Sequence, residues 1–166
     1  IRYEITHGFH EARGQFDARG NLRDWWTPAD SKAFDARAAQ VETQFDGYTV
    51  ADSLHVNGKL TLGEDIADLG GLKIAYAALE RSLAGKHPEP IDGFTPEQRF
   101  FLSWAQIWRS TTRPEAERQL VLTNPHAPAK WRVNGPLSNM PEFAKAFGCA
   151  AGAAMVRPDS LRPQIW

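Results

Sequence analysis

Three residues near the start of the chain, Tyr3, Glu4 and His7 in YEITH, have the spacing of a metal-and-base site with one member changed. On a helix, positions 3 and 7 stand one turn apart on the same face, so both side chains can point at one ion. Glu4 is offset by about 100° around the axis. From there a carboxylate polarises a metal-bound water instead of ligating the metal. A histidine at position 3 would complete H-E-x-x-H, the pattern that pairs two zinc ligands with a general base. The residue present is tyrosine. A second acidic group lies downstream, where Glu64 and Asp68 in GEDIADLGG share a helix face. A glutamate on a separate helix can supply a third zinc ligand, and an acid one turn on can orient a ligating histidine through its outer nitrogen. Taken alone, the first group reads as a helix with a surface glutamate and a half-buried histidine, and the second as two solvated acids.

The elements that must position these groups are mainly helical. Residues 1–13 read as a helix broken at Gly14. Thr27 and Pro28 start a second helix, with Ala33, Phe34, Ala38, Val41 and Phe45 at helical spacing and Gly47 as its end. YTVADSLHVNGKLTLGE reads as extended or looped, with a tight turn at Asn57-Gly58. A long helix follows from about Leu62 to Leu83. Gly70 and Gly71 in its interior cost about 1 kcal/mol each relative to alanine, which points to another backbone packing close. The helix at 1–13 is therefore expected beside this one, bringing His7 and Glu64 together. After a proline-bearing linker, Thr95-Pro96-Glu97 caps a helix over PEQRFFLSWAQIWRST, whose Phe100, Phe101, Trp104, Ile107 and Trp108 form a broad apolar face. A short helix begins at Pro114, and TNPHAPAKWRVNGPL reads as a proline-rich loop. A last helix starts at Met140 or Pro141 and stops at Gly148, before an irregular end.

Bulk properties narrow the function classes. The chain has 166 residues, enough for one domain with a modest core. A formal net charge of −1 gives no reason to expect nucleic acid or an anionic membrane surface as partner. No apolar run approaches the roughly 20 residues that span a bilayer. Cys149 is the only cysteine, so no internal disulfide forms. The chain begins at Ile1, without a helix cap or signal peptide, and is expected to be a piece of a longer chain or a processed product.

Several blocks occur in one order: EITHGF, FDARGNLRDWW, NGKLTLGEDIADLGGL, FFLSWAQIW, NPHAPAKWRVNGPLSNMPEFAKAFGC and a terminal IW. From Tyr3 to Trp166 the chain resembles the C-terminal catalytic part of the neprilysin and endothelin-converting-enzyme family of zinc metallopeptidases. The resemblance implies a zincin-type (gluzincin), mainly α catalytic subdomain over residues 1–166, with an N-terminal lobe of the same protein as partner and oligopeptides as substrates. It implies His7 and Glu64 as zinc ligands, Glu4 as general base and Asp68 as the acid that orients a zinc histidine. It also implies His126 as the stabiliser of the oxyanion and Arg132 as the holder of the substrate backbone, roles that suit donors aimed at developing negative charge. On residues alone, His126 reads as a loop histidine and Arg132 as a surface charge. Family habit implies an extracytoplasmic location, periplasmic in bacteria, and the lone cysteine favours a bacterial source.

The departures from the family pattern cluster at the metal helix. Tyr3 stands where the family has its first zinc histidine, Arg2 replaces a small residue, and His10 takes the place of an acid. Two ligands are one short of the usual three. A tyrosine can ligate only as phenolate, and ionising a group of pKa near 10 at pH 7 costs about 4 kcal/mol before the metal helps. His10, with Glu11 beside it, offers a substitute ligand on a different part of the helix surface. Two functions stay open: a zinc endopeptidase fragment impaired by Tyr3, with zinc weak or absent, and a non-catalytic pseudopeptidase kept for packing or peptide binding.

Overall fold

The structure, a computed structural model, describes residues 2–9 and 14–165, so the alternative ligand His10 lies outside the described residues. It is mainly helical, as the periodicity predicts. The elements are α1 (Arg2–Thr6), α2 (Pro28–Asp46), β1 (Thr49–Ala51), β2 (Leu54–His55), α3 (Gly58–Leu83), α4 (Pro96–Ile107), α5 (Pro114–Thr123), α6 (Ala129–Ser138) and α7 (Pro141–Phe147). β1 and β2 form a small antiparallel hairpin.

α3 is the axis of the fold. Its 26 residues span roughly 39 Å at 1.5 Å per residue, and α1, α2, α4 and α6 all pack against it. One apolar cluster, with Phe34, Ala38, Val41, Phe45, Val56 and Ile66, fills the space between α2 and α3. A second, with Leu72, Tyr76, Phe101, Leu137 and Met140, joins α3 to α4, α6 and α7. Between α2 and α6, Gln44 Nε2 donates to Gly135 O at 3.1 Å and Asn139 Nδ2 donates to Gln44 Oε1 at 2.9 Å. These bonds satisfy the Gln44 amide and the Asn139 nitrogen, which burial would otherwise leave costly.

The local signals account for most boundaries. Thr27 accepts from Asp30 N with Pro28 behind it, and Thr95 forms a capping box with Gln98. Gly148 closes α7 in the left-handed conformation. Four expectations need correction. The helix expected over 1–13 ends at Thr6 and tightens into a 3-10 turn over His7–Phe9; residues 10–13 lie outside the described residues. The helix over PEQRFFLSWAQIWRST stops at Ile107. Asn57-Gly58 is not a separate tight turn but the start of α3, because Asn57 Oδ1 accepts from Leu60 N as an N-cap. The expected loop at 123–137 contains α6, with Pro136 inside it. Proline there lacks the N–H that would bond the carbonyl of Arg132, four residues back. Trp104 Nε1 donates to that carbonyl instead, at 3.1 Å. The side chain of a neighbouring helix thus repairs what the proline removes.

The apolar face of α4 is only partly covered. Phe101 is buried against Tyr76 and Phe143. Phe100, Trp104 and Ile107, with Leu72, Ala75 and Leu79 of α3, line an open groove of about 650 Å³.

Candidate metal centre

α1 carries Tyr3, Glu4 and the approach to His7, and its position is set by two contacts with α3. A Cβ built on Gly71 would meet the Cα and N of Tyr3 at 3.1 Å, a tight contact that would press α1 away from α3. The expectation of a close backbone at the glycine pair is met here. Thr6 is fully buried, and its Oγ1 donates to Tyr3 O at 2.6 Å and to Ala67 O at 3.3 Å, tying α1 to α3.

This packing brings His7 and Glu64 together, with Nε2 and Oε2 3.5 Å apart. Glu4 faces the same open cavity of about 1290 Å³ as His7 and Glu64. A second histidine reaches the same oxygen: His126, on the loop between α5 and α6, places Nε2 at 3.2 Å from Glu64 Oε2. That oxygen is buried and accepts no hydrogen bond, so the two imidazoles flank it without satisfying it. Asn124 orients His126. Its Oδ1 accepts the backbone N–H of His126 at 2.9 Å and stands 2.9 Å from Nδ1. That oxygen accepts from the His126 backbone, and it accepts from Nδ1 as well when that nitrogen carries a proton.

One turn along α3, Asp68 makes a complete pair. Arg132 donates from Nε to Asp68 Oδ2 at 2.7 Å and from Nη2 to Oδ1 at 2.8 Å, with both side chains buried. Burial pushes the Asp68 carboxyl up to about 6, against the pull of the Arg132 hydrogen bonds and charge. The Arg132 guanidinium also lies over the rings of Trp108 at 3.9 Å and Tyr3 at 5.2 Å. Arg132 is therefore no surface charge. The sequence missed this because its partner lies 64 residues away. Asp65 is buried as well; Thr61 Oγ1 donates to its Oδ2 at 2.7 Å while Oδ1 has no partner. Burial drives its carboxyl well above the ordinary aspartate value.

Tyr3, expected from the resemblance to stand at the first-ligand position, makes no polar contact there. Its ring meets His7 edge-on, with centroids 4.7 Å apart, and its buried hydroxyl has no hydrogen-bond partner. Asp68, expected to orient a zinc histidine, is committed to Arg132 through both oxygens. The orphaned Glu64 Oε2 beside imidazole nitrogens has the donor chemistry that zinc takes. The ligand count does not match: among the described residues no three His, Cys, Asp or Glu side chains are grouped to hold a metal ion. The residues present do not fit a family zinc site of two helix histidines and a glutamate.

A family model described as peptidase family M13 matches residues 1–162. The endothelin-converting enzyme homolog of Locusta migratoria is 46% identical over 92% of this chain, and neprilysin-1 of Caenorhabditis elegans 45% identical over 93%. The chain spans about a fifth of the length of each, 21%. The zinc metalloprotease Zmp1 of Mycobacterium tuberculosis, solved in complex with an inhibitor, superposes with a TM-score of 0.94 at 39% identity, over 99% of this chain and 26% of that one. A match over nearly the whole chain, in sequence and in backbone, places it with the neprilysin and endothelin-converting enzymes: this chain belongs to peptidase family M13.

Proposed function

We propose that this chain is the C-terminal part of the catalytic lobe of a neprilysin-like zinc endopeptidase acting on oligopeptides, with its metal chemistry impaired by Tyr3. The observation that carries the reading is the meeting of His7 and Glu64 from two helices beside Glu4, with a tyrosine in the remaining ligand position. In family relatives the metal supplies an activated water. In this chain Glu4 stands ready to take a proton at its carboxylate from a group in the open cavity. His126 and Arg132 line a second cavity of about 440 Å³ behind Glu64, together with Trp108. From there the His126 ring, in its protonated form, is the group able to offer an N–H donor to a peptide carbonyl, while Arg132 is held by Asp68. The rest of the family enzyme, including an N-terminal lobe, supplies most of the substrate cleft, and the location we assign is extracytoplasmic.

The test is Tyr3→His with zinc titration by calorimetry. Restoring an imidazole should raise zinc affinity by more than the roughly 10–100-fold associated with a single supporting contact. Equal affinities in the two versions would overturn the impairment. Peptidase activity should return only when the remainder of the polypeptide accompanies the Tyr3→His change. A second reading, a non-catalytic pseudopeptidase that binds peptide or serves in packing, is favoured by one observation. Arg132 is already neutralised by Asp68 and stacked between two rings, an arrangement that persists without metal.

A further inference from the structure

We propose that the open groove between α3 and α4 is the seat of a helix that continues α1 backward, formed by residues ahead of Ile1 in a longer polypeptide. The inference rests on the reading of this chain as one part of a family enzyme, and no step of it involves metal. The groove runs between two apolar stripes, Leu72, Ala75 and Leu79 on α3 and Phe100, Trp104 and Ile107 on α4. Each set recurs at three- or four-residue spacing, so each is one face of its helix. Two such faces with open space of about 650 Å³ between them leave a notch for a third helix.

The direction of α1 selects the occupant. The Tyr3 backbone meets Gly71, Thr6 Oγ1 donates to Ala67 O, and His7 reaches Glu64. Numbers rise along α1 as they fall along α3, so the two helices run antiparallel. Followed backward from Tyr3, the axis of α1 therefore passes Ala75 and then Leu79, one and two turns of α3 beyond Gly71. Tyr3 itself lines the near end of the groove, so the groove opens at the head of α1 and lies in line with it. Ala75 repeats the small surface of Gly71 one turn on, which keeps the close approach of the two helices open. A continuation would also bring carbonyl acceptors to the leading N–H groups of α1, which have no partner within their own helix. Length for it exists in the relatives, since this chain spans 21% of each of the two named above. A second copy of the chain would have to bring its own helix end to end with α1, whereas a continuation is aligned by its connection. The segment that fits is amphipathic. Its apolar side chains stand four, seven and eight residues ahead of Tyr3, the positions that repeat its face.

The experiment extends the chain by eight residues ahead of Ile1, with a helix-forming sequence of alanine, glutamate and lysine that carries three leucines. In one version the leucines stand four, seven and eight residues ahead of Tyr3. In the other they are moved by two positions, about 200° around the axis. Thermal unfolding, binding of the dye anilinonaphthalene sulfonate and light scattering are read for both and for the unextended chain. The in-phase extension should raise the melting temperature by roughly 4 °C or more and lower the dye signal, while the shifted one should leave the melting temperature within about 1 °C. Ala75→Asp should abolish the gain and Ile107→Asp at least halve it, each measured against the same variant without the extension. Ile107 is 69% exposed, so its substitution leaves the unextended fold intact. Equal gains from both extensions, no gain from the in-phase one, or a gain that either substitution leaves whole would overturn the proposal. So would an unextended chain that forms dimers lost in Ala75→Asp, since the groove would then belong to a second copy. Zinc titration of Tyr3→His tests the broader reading separately. A rise in affinity beside an ineffective in-phase extension leaves the metallopeptidase reading standing and the docking proposal alone overturned.

Discussion

Two carboxylates one turn apart on α3 have opposite circumstances. Asp68 is buried and answered in full by the two short hydrogen bonds of Arg132. Glu64 keeps a buried oxygen that two imidazoles approach and neither satisfies. The Asp68 pair is made within the protein, and it stands whether or not anything binds. The Glu64 oxygen has no such settled partner and meets its imidazoles only as their protonation allows. Structural and functional acids are thus told apart by whether their partners belong to the chain, not by burial or by sequence context.

The comparison breaks most sharply at Arg132. Arg132→Met should leave the Asp68 charge buried without its partner and destabilise the chain by about 3–5 kcal/mol, read from urea unfolding. A small effect would mean that the pair is not the self-sufficient unit described here. Next comes Gly71→Val, which should cost roughly 1–3 kcal/mol because its side chain meets the Tyr3 backbone. Its mark should fall on the Glu64 side, as lower zinc affinity, since displacing α1 moves His7 and leaves Arg132 in place.

Asp65→Asn should stabilise the chain at pH 7 by roughly 1–2 kcal/mol, the scale of one unsatisfied buried polar atom. Burial raises the folded-state value of Asp65, so below the unfolded value near 4 both states hold the proton and the penalty vanishes. As pH rises from there, the unfolded chain releases its proton first and stability falls. The gain from Asp65→Asn should therefore shrink toward pH 4, and melting curves from pH 4 to 8 measure it. A constant gain would mean that Asp65 is ionised in the folded state throughout. The smallest effect belongs to Glu64→Gln. No hydrogen bond to Oε2 is lost, so unfolding stability should stay within about 0.5 kcal/mol while zinc binding falls. A loss of stability near that of Arg132→Met would erase the distinction between the two carboxylates.

Local chemistry made much of the fold legible. Thr27-Pro28, Thr95-Pro96 and Gly148 mark helix ends through interactions with their own neighbours, and each end lies where those residues place it. Gly71 announced a close backbone because a glycine inside a helix needs a reason. What escaped was decided at long range. α6 reads as a loop until Trp104, from another helix, supplies the donor that Pro136 lacks. Asn57 reads as a turn because its capping role depends on where the helix begins. At the site, His7 and Glu64 could be paired from spacing and family pattern. The third group at that oxygen, His126, stood in a proline-rich loop with no spacing rule linking it to α3.

The contact between Gly71 and the Tyr3 backbone bears on what an exchange at residue 3 would disturb. α1 is seated through main-chain atoms of residue 3, which are the same whichever side chain that residue carries. Tyrosine and histidine codons differ at a single nucleotide, and the exchange leaves the seating of the helix unchanged. A Tyr3→His exchange is thus a shallow step in mutational terms, one base substitution away for as long as Gly71 and Thr6 keep the berth.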